Sequence, residues 1–265
     1  MSGALASIPA DHWLRTTPMV VLDVESTGLD PEADRIVQIA MIQVDGGEIT
    51  DEFVTLIDPT VPIPPESSAI HGIAAERLSA ESATTFVMHA REIARRAARR
   101  VVVGYNAARF DLPIVRAELA RCRIATGGRT PLDVLTWVRK LDRYVAGSGR
   151  HRLHETARRH GLTIDGPEHD AGTDARATWA LMRRLVEEHP RVFRGDDDRS
   201  ARAPAAARQH AGRCVRRMAR RRDRDHARGP DHGRRAHRRP ASRPRVDSNK
   251  TRLTLSETVL VSVPW

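Results

Sequence analysis

The chain has 265 residues, 40% of them hydrophobic, which suits one ordinary domain with an appendage or two small domains. Its two cysteines, Cys122 and Cys214, exclude a disulfide framework and a cysteine-knuckle metal site, and no apolar run approaches the roughly 20 residues of a membrane span. The net charge of +10 is unevenly held: residues 191–265 carry 21 Lys and Arg against 8 Asp and Glu, a net of +13, which leaves the first 190 residues at −3.

The stretch MSGALASIPADHWLRTTP has no basic start followed by an apolar core. Residues 1–17 therefore read as an N-terminal extension rather than a signal peptide, and a cytoplasmic setting is expected. Met19 to Glu25 reads as a strand that is apolar on both faces, hence central in a sheet. RIVQIAMIQVDGGEITDEFVTLID reads as a hairpin around Asp45-Gly46-Gly47. PTVPIPPESSAIHGI reads as a proline-rich extended loop, and Ala80 to Arg100 as a helix. VVVGYN is a second buried strand, and Asp111 to Cys122 a second helix. Thr130-Pro131 opens a helical stretch to about Tyr144, and HRLHETARRHGL is a short helix stopped by Gly161. Ala171 to Glu188 is amphipathic, with Trp179, Met182 and Leu185 on its apolar side. Three antiparallel strands followed by strands separated by helices predict a mixed α/β sheet with helices on its faces.

Three places in this pattern carry acids where apolar residues are expected. In VVLDVESTGL, Asp23 and Glu25 stand two apart on one strand, so both leave the same face. Paired carboxylates repel, and one would stay protonated unless a hard divalent cation compensates them. Taken alone, such a pair at a strand end is better explained by solvent. In VVVGYNAARFDLPIV a buried strand turns into a helix opened by Asp111, and in EHDAGTDARATWALM His169 precedes a helix whose first turn holds Asp174. Either acid alone could be a plain helix N-terminal acid favoured by the dipole. Together, four carboxylates on rigid supports with one histidine nearby are the parts of two-metal phosphodiester hydrolysis.

DVESTGL, GYNAARFDLP and HDAGTDA, in that order, resemble the three motifs of the DnaQ-like (DEDDh) 3′–5′ exonucleases. IPPESSAIHGI matches the loop of the branch containing the proofreading subunit of DNA polymerase III. Four residues, AARF, separate Asn106 from Asp111, a spacing similar to other DnaQ-like exonucleases rather than to the proofreading subunit itself. The resemblance spans residues 18–190. It implies a ribonuclease-H-like fold with a five-stranded mixed sheet flanked by helices, and two Mg2+ or Mn2+ ions held by Asp23, Glu25, Asp111 and Asp174. It further implies that Asp23 bridges the ions, that Glu25 and Asp174 serve the one holding the attacking water, and that Asp111 serves the one at the leaving 3′ oxygen. It implies that His169 takes the water's proton, a role that the pKa range of histidine suits. Thr27, Gly28 and Leu29 are expected to meet the terminal nucleotide, with Ile70 and His71 beside it; a loop-stabilising hydrogen bond explains His71 equally well. His151, His154 and His160 read as a solvated helix face, Phe110 and Trp179 as core, and Asn106 as a turn residue. The implied substrate is DNA with a 3′ end, in proofreading or repair and with polymerase association. The alternatives are RNA as substrate, or a non-catalytic nucleic-acid-binding protein that relies on its tail.

From residue 191 the chain is arginine with Ala, Pro, Gly, Asp and His and no apolar period, a composition expected to be disordered. It reads as a nucleic-acid-binding arm, as a solvated linker, or as a frameshifted translation beginning near residue 195. The near-absence of lysine favours the last.

Overall fold

The computed structural model describes residues 11–127, 130–147, 149–194 and 261–263. All fall in one of the chain's two compact units, 1–211 with 260–265; the other, 212–259, lies outside the described residues. In chain order the elements are α1 (His12–Thr16), β1 (Met19–Ser26), β2 (Ile36–Asp45), β3 (Glu48–Asp58), α2 (Pro65–His71), α3 (Ala75–Ala80), β4 (Thr84–Thr85), α4 (Phe86–Ala97), β5 (Val101–Gly104) and α5 (Asp111–Arg121). They continue with β6 (Ile124–Thr126), β7 (Leu132–Asp133), α6 (Val134–Leu141), α7 (Leu153–Arg159), α8 (Ala171–Glu188), α9 (Pro190–Arg194) and β8 (Val261–Val263).

The main sheet runs β4-β3-β2-β1-β5-β7. β1, β2 and β3 are antiparallel, and β5 and β7 join β1's side in parallel. This is the expected mixed sheet of five strands, extended at one edge by the two-residue β4. The β2–β3 turn closes at Asp45↔Glu48 with Gly46 and Gly47 both at positive φ, 66° and 87°, which a two-residue hairpin loop requires.

β1 is central because both its faces are apolar. Met19 and Val21 pack with the layer of α6, α7 and α8, whereas Val20 and Leu22 pack with α4 and α5. Strand alternation then sets the direction of the acids: Asp23 and Glu25 continue the Met19–Val21 parity and emerge toward α8. A bulge between Glu25 and Ser26 ends the regular pairing at that point.

Four stretches differ from the sequence reading. The proline-rich loop contains α2, which starts with Pro65 at its first position and stops at Gly72 with φ +68°; proline lacks only an N–H that is unpaired there anyway. The helix expected from Ala80 starts at Phe86, because Thr84 and Thr85 pair with β3 instead. The stretch from Thr130 becomes helical only at Val134, after β7 has joined β5. Within the segment expected to be disordered, α9 continues the fold, and Phe193 meets Trp137 at 4.8 Å between ring centroids. Beside it, α1 brings Trp13 to the same Trp137 ring at 5.7 Å. β8 pairs in parallel with β6. The remainder of the arginine-rich segment, where the arm, linker and frameshift readings apply, lies outside the described residues.

Candidate active site

The four candidate carboxylates meet at the end of β1. Asp111, the first residue of α5, is buried, and its Oδ1 accepts the Val24 N–H at 3.0 Å, which draws the helix start against the strand. The turn before it is fixed by Asn106, at φ +63°, whose N–H donates to Asp133 Oδ1 at 2.8 Å. Asp174 is buried in the first turn of α8. One donor atom each from Glu25, His169 and Asp174 lies within 4.8 Å of the others.

Electrostatics ties Asp23 and Asp111 to the same cluster. Burial, and then the charges of Asp111, Asp174 and Glu25, hold the Asp23 carboxyl well above the usual carboxylate range. Burial and the charges of Asp174, Asp111 and Asp170 push Glu25 up to about 8. Burial lifts Asp111 to about 7 against the opposing Val24 hydrogen bond. Asp174 is raised by burial and eased by His154. Carboxylates that resist ionising beside one another are a donor set that hard divalent cations fit: all-oxygen ligands whose repulsion a cation removes.

His169 is exposed, at φ +60°, just before Asp170, whose side chain caps α8 by accepting the Thr173 N–H at 3.0 Å. The segment is held from the sheet. Gln38, paired with Glu25 across the strands, donates Nε2 to Asp170 Oδ2 at 2.9 Å and accepts the Ala171 N–H at 3.0 Å.

Residues 20–182 match the family model of exonucleases called RNase_T. The chain belongs to the DnaQ-like exonuclease family. The chain is 34% identical over 186 residues to a PolC-type DNA polymerase III of Thermotoga maritima, covering 69% of the chain but 13% of that polymerase. It is 32% identical over 169 residues to the DNA polymerase III subunit epsilon of Treponema pallidum, covering 63% of the chain and 75% of the subunit. Among solved structures, E. coli exonuclease I in complex with a dT13 oligonucleotide shares its fold, with TM-score 0.58 and 23% identity over 67% of this chain and 42% of that one. No helix of the described residues is long and apolar enough to cross a membrane.

In the DnaQ-like domain the five residues singled out for substrate lie on two neighbouring segments. Ser67 Oγ of α2 donates to the Thr27 carbonyl at 2.7 Å and so ties the Thr27–Leu29 turn to the helix of Ile70 and His71. Leu29 and Ile70 are 75% and 59% exposed. Thr27 is buried, its hydroxyl donating to Asp34 Oδ1 at 2.9 Å. A Cβ on Gly28 would collide with the Asp34 carboxylate, so this glycine answers to the loop as well. His71 is buried, and its Nδ1 accepts the Ile73 N–H at 3.1 Å. Burial lowers its pKa, and the repulsion of His169 adds to this.

The reading of His151, His154 and His160 as a solvated face is corrected. His154 is buried, with Nε2 2.6 Å from Asp174 Oδ1. His160 lies between Glu188 at 2.6 Å and Asp142 at 3.1 Å, and the His151 carbonyl accepts the Tyr105 hydroxyl at 2.6 Å. Trp179 is core as expected, whereas Phe110 is half-buried under the Arg109 guanidinium. The one faint signal for His154 in the sequence is its place beside Leu153, Thr156 and Ala157, which are buried on α7.

Proposed function

We propose that this exonuclease removes nucleotides from the 3′ end of DNA as 5′-monophosphates, with Asp23, Glu25, Asp111 and Asp174 holding two Mg2+ or Mn2+ ions and His169 as general base. The observation that carries the reading is the convergence of four buried or half-buried carboxylates with one exposed imidazole. When bound, the ions lower the pKa of water and stabilise charge on the leaving oxygen. The chain's own residues do the rest. The Val24 N–H fixes the Asp111 carboxylate. Gln38 and Asp170 hold the start of α8, so that Asp174 faces Glu25. The exposed His169 can take a proton from water at the scissile phosphate and release it to solvent. Leu29 and Ile70 offer exposed apolar surface to the terminal nucleotide.

DNA as substrate is supported by relatives named as DNA polymerase III proteins and by the dT13 complex of exonuclease I. Polymerase association in proofreading is a natural duty on the same grounds, and repair is the other.

The test is incubation of the full chain with single-stranded DNA, 3′-recessed DNA and single-stranded RNA of matched sequence, each labelled at the 5′ end, in Mg2+, Mn2+ or EDTA. A metal-dependent ladder shortening from the 3′ end on DNA, absent in Asp23→Ala, is expected. A ladder on RNA alone would overturn the substrate, and a ladder in EDTA would overturn the metal reading.

A further inference from the structure

Beside the catalytic cluster lies an open cavity of about 420 Å³ lined by Gly149, Arg150, Arg152, Glu155, Arg158 and Glu168. Its size falls in the range of small-ligand sites, yet among the described residues its wall offers no aromatic or aliphatic side chain. A base would find no aromatic ring to stack on, and an apolar ligand no surface to desolvate. What the wall presents is guanidinium donors, the group best matched to phosphate oxygens.

The arginines are not equally engaged. Arg158 donates to Glu168 Oε1 at 2.6 Å and stands 3.4 Å from Glu155. Arg150 reaches Glu155 only at 3.7 Å. Among the described residues, the Arg152 guanidinium has no hydrogen bond or ion pair. Three cations against two carboxylates leave the cavity with one positive charge in excess, and Arg152 is the side chain free to deliver it.

The cavity is also next to the chemistry. Glu168 of its wall precedes His169 in the chain. His154 has Nδ1 3.7 Å from Glu168 Oε1 and Nε2 2.6 Å from Asp174 Oδ1, so one imidazole ring separates the cavity wall from a candidate metal ligand. A polynucleotide whose 3′-terminal phosphodiester lies at the carboxylates must pass its other phosphates over neighbouring surface.

Resting on the proposed function, we propose that this cavity is a backbone subsite: Arg152, flanked by Arg150, binds a non-scissile phosphate of the nucleic-acid strand being shortened. The subsite would grip the strand through charge and without reading bases.

The test compares the full chain with Arg152→Ala, Arg152→Lys and, as control, Arg91→Ala on the exposed face of α4. All carry the same arginine-rich segment after residue 190, so its contribution cancels. Binding of 5′-labelled single-stranded DNA is followed by fluorescence anisotropy in EDTA across a salt series, which needs no turnover. Arg152→Ala should weaken binding about tenfold and reduce the slope of log affinity against log salt by about 0.7, the value for one phosphate contact on a single strand. Arg152→Lys should restore most of the slope, and Arg91→Ala should leave it unchanged.

Turnover is then measured on thymidine 5′-monophosphate p-nitrophenyl ester, which has no further phosphate, and on the oligonucleotide. KM should rise for the oligonucleotide alone, with both kcat values unchanged. An unchanged slope in Arg152→Ala would overturn the subsite, as would an equal loss on the small ester. Inhibition by inorganic phosphate that vanishes in Arg152→Ala, with oligonucleotide binding intact, would assign the cavity to free phosphate and also overturn it. A wild-type chain that binds DNA through Arg152 but cleaves neither substrate would sink the proposed function and leave the subsite standing.

Discussion

His154 Nε2 lies 2.6 Å from Asp174 Oδ1, and the other nitrogen of the ring lies 3.7 Å from Glu168. An imidazole held this way fixes the rotation of the carboxylate that α8 presents to Glu25 and His169. Outer partners of metal ligands set affinity because they spare the site the cost of orienting the ligand on binding. His154→Ala should therefore weaken Mn2+ binding by about 10- to 100-fold, read by calorimetric titration. His154→Gln, which retains an N–H donor, should recover part of the loss. If Mn2+ binds His154→Ala as tightly as wild type, the ring is only filling space.

The carboxylate cluster makes the metal-free protein sensitive to pH in a defined direction. Glu25 titrates near 8 and Asp111 near 7 in the fold, against about 4 in an unfolded chain. Below about pH 4 both states hold these protons, and the groups cost nothing. As pH rises, the unfolded chain releases its protons first, so stability falls by up to about 1.4 kcal/mol per pH unit for each such proton, until the folded carboxyls ionise near 7 to 8. In EDTA, the Tm of Glu25→Gln should exceed that of wild type by a margin that widens from pH 5 to pH 8. Saturating Mg2+ should narrow the margin, because ions stabilise the charged form that only wild type offers in full. A margin independent of pH in EDTA would show that Glu25 is ionised throughout.

Gln38 uses both ends of its amide, one on Asp170 and one on the Ala171 N–H, from a position where it is 4% exposed. Gln38→Leu removes both partners and leaves a buried N–H unsatisfied at the start of α8. An unmade buried hydrogen bond costs about 1 to 3 kcal/mol, which urea unfolding would resolve. Activity should fall further than stability explains, with kcat affected more than KM, because the segment holding His169 and Asp174 loses its tie to the sheet. A variant as stable and as active as wild type would show that the Asp170 cap suffices alone.

The parts of the fold legible in the sequence were those set by alternation and turn chemistry over long windows. β1 shows apolar residues on both faces, the Gly46-Gly47 pair dictates its hairpin, and α8 keeps helical period over eighteen residues. The acids stood out because they interrupt those apolar patterns. What stayed hidden was short or tertiary. β4 and β7 have two residues each, too few for a period, and exist because β3 and β5 offer edges. Gln38 looks like any inward-facing polar residue until α8 arrives 132 residues later. His154 has a histidine-rich, charged neighbourhood that masks the buried stripe of α7; only Asp174 gives it meaning.

Residues 12–16 are more than a lead-in. Trp13 meets Trp137 edge-on at 5.7 Å and stacks on Phe193 at 6.4 Å, while Trp137 and Phe193 touch at 4.8 Å. The three rings join α1, α6 and α9 at the outer side of the α8 layer, and Leu14 beside them is 5% exposed. Aromatic pairs of this geometry contribute about 0.5 to 1.5 kcal/mol each beyond the area they bury. Trp13→Ala breaks two of the three pairs and opens the flank of Trp137, so it should cost roughly 2 to 4 kcal/mol. None of the three rings belongs to the candidate site, so metal-dependent cleavage at a temperature well below Tm should persist. Thermal unfolding of Trp13→Ala, with the fluorescence of the remaining tryptophans as a second probe, measures this. An unchanged Tm would show that α1 rests on the fold without supporting it.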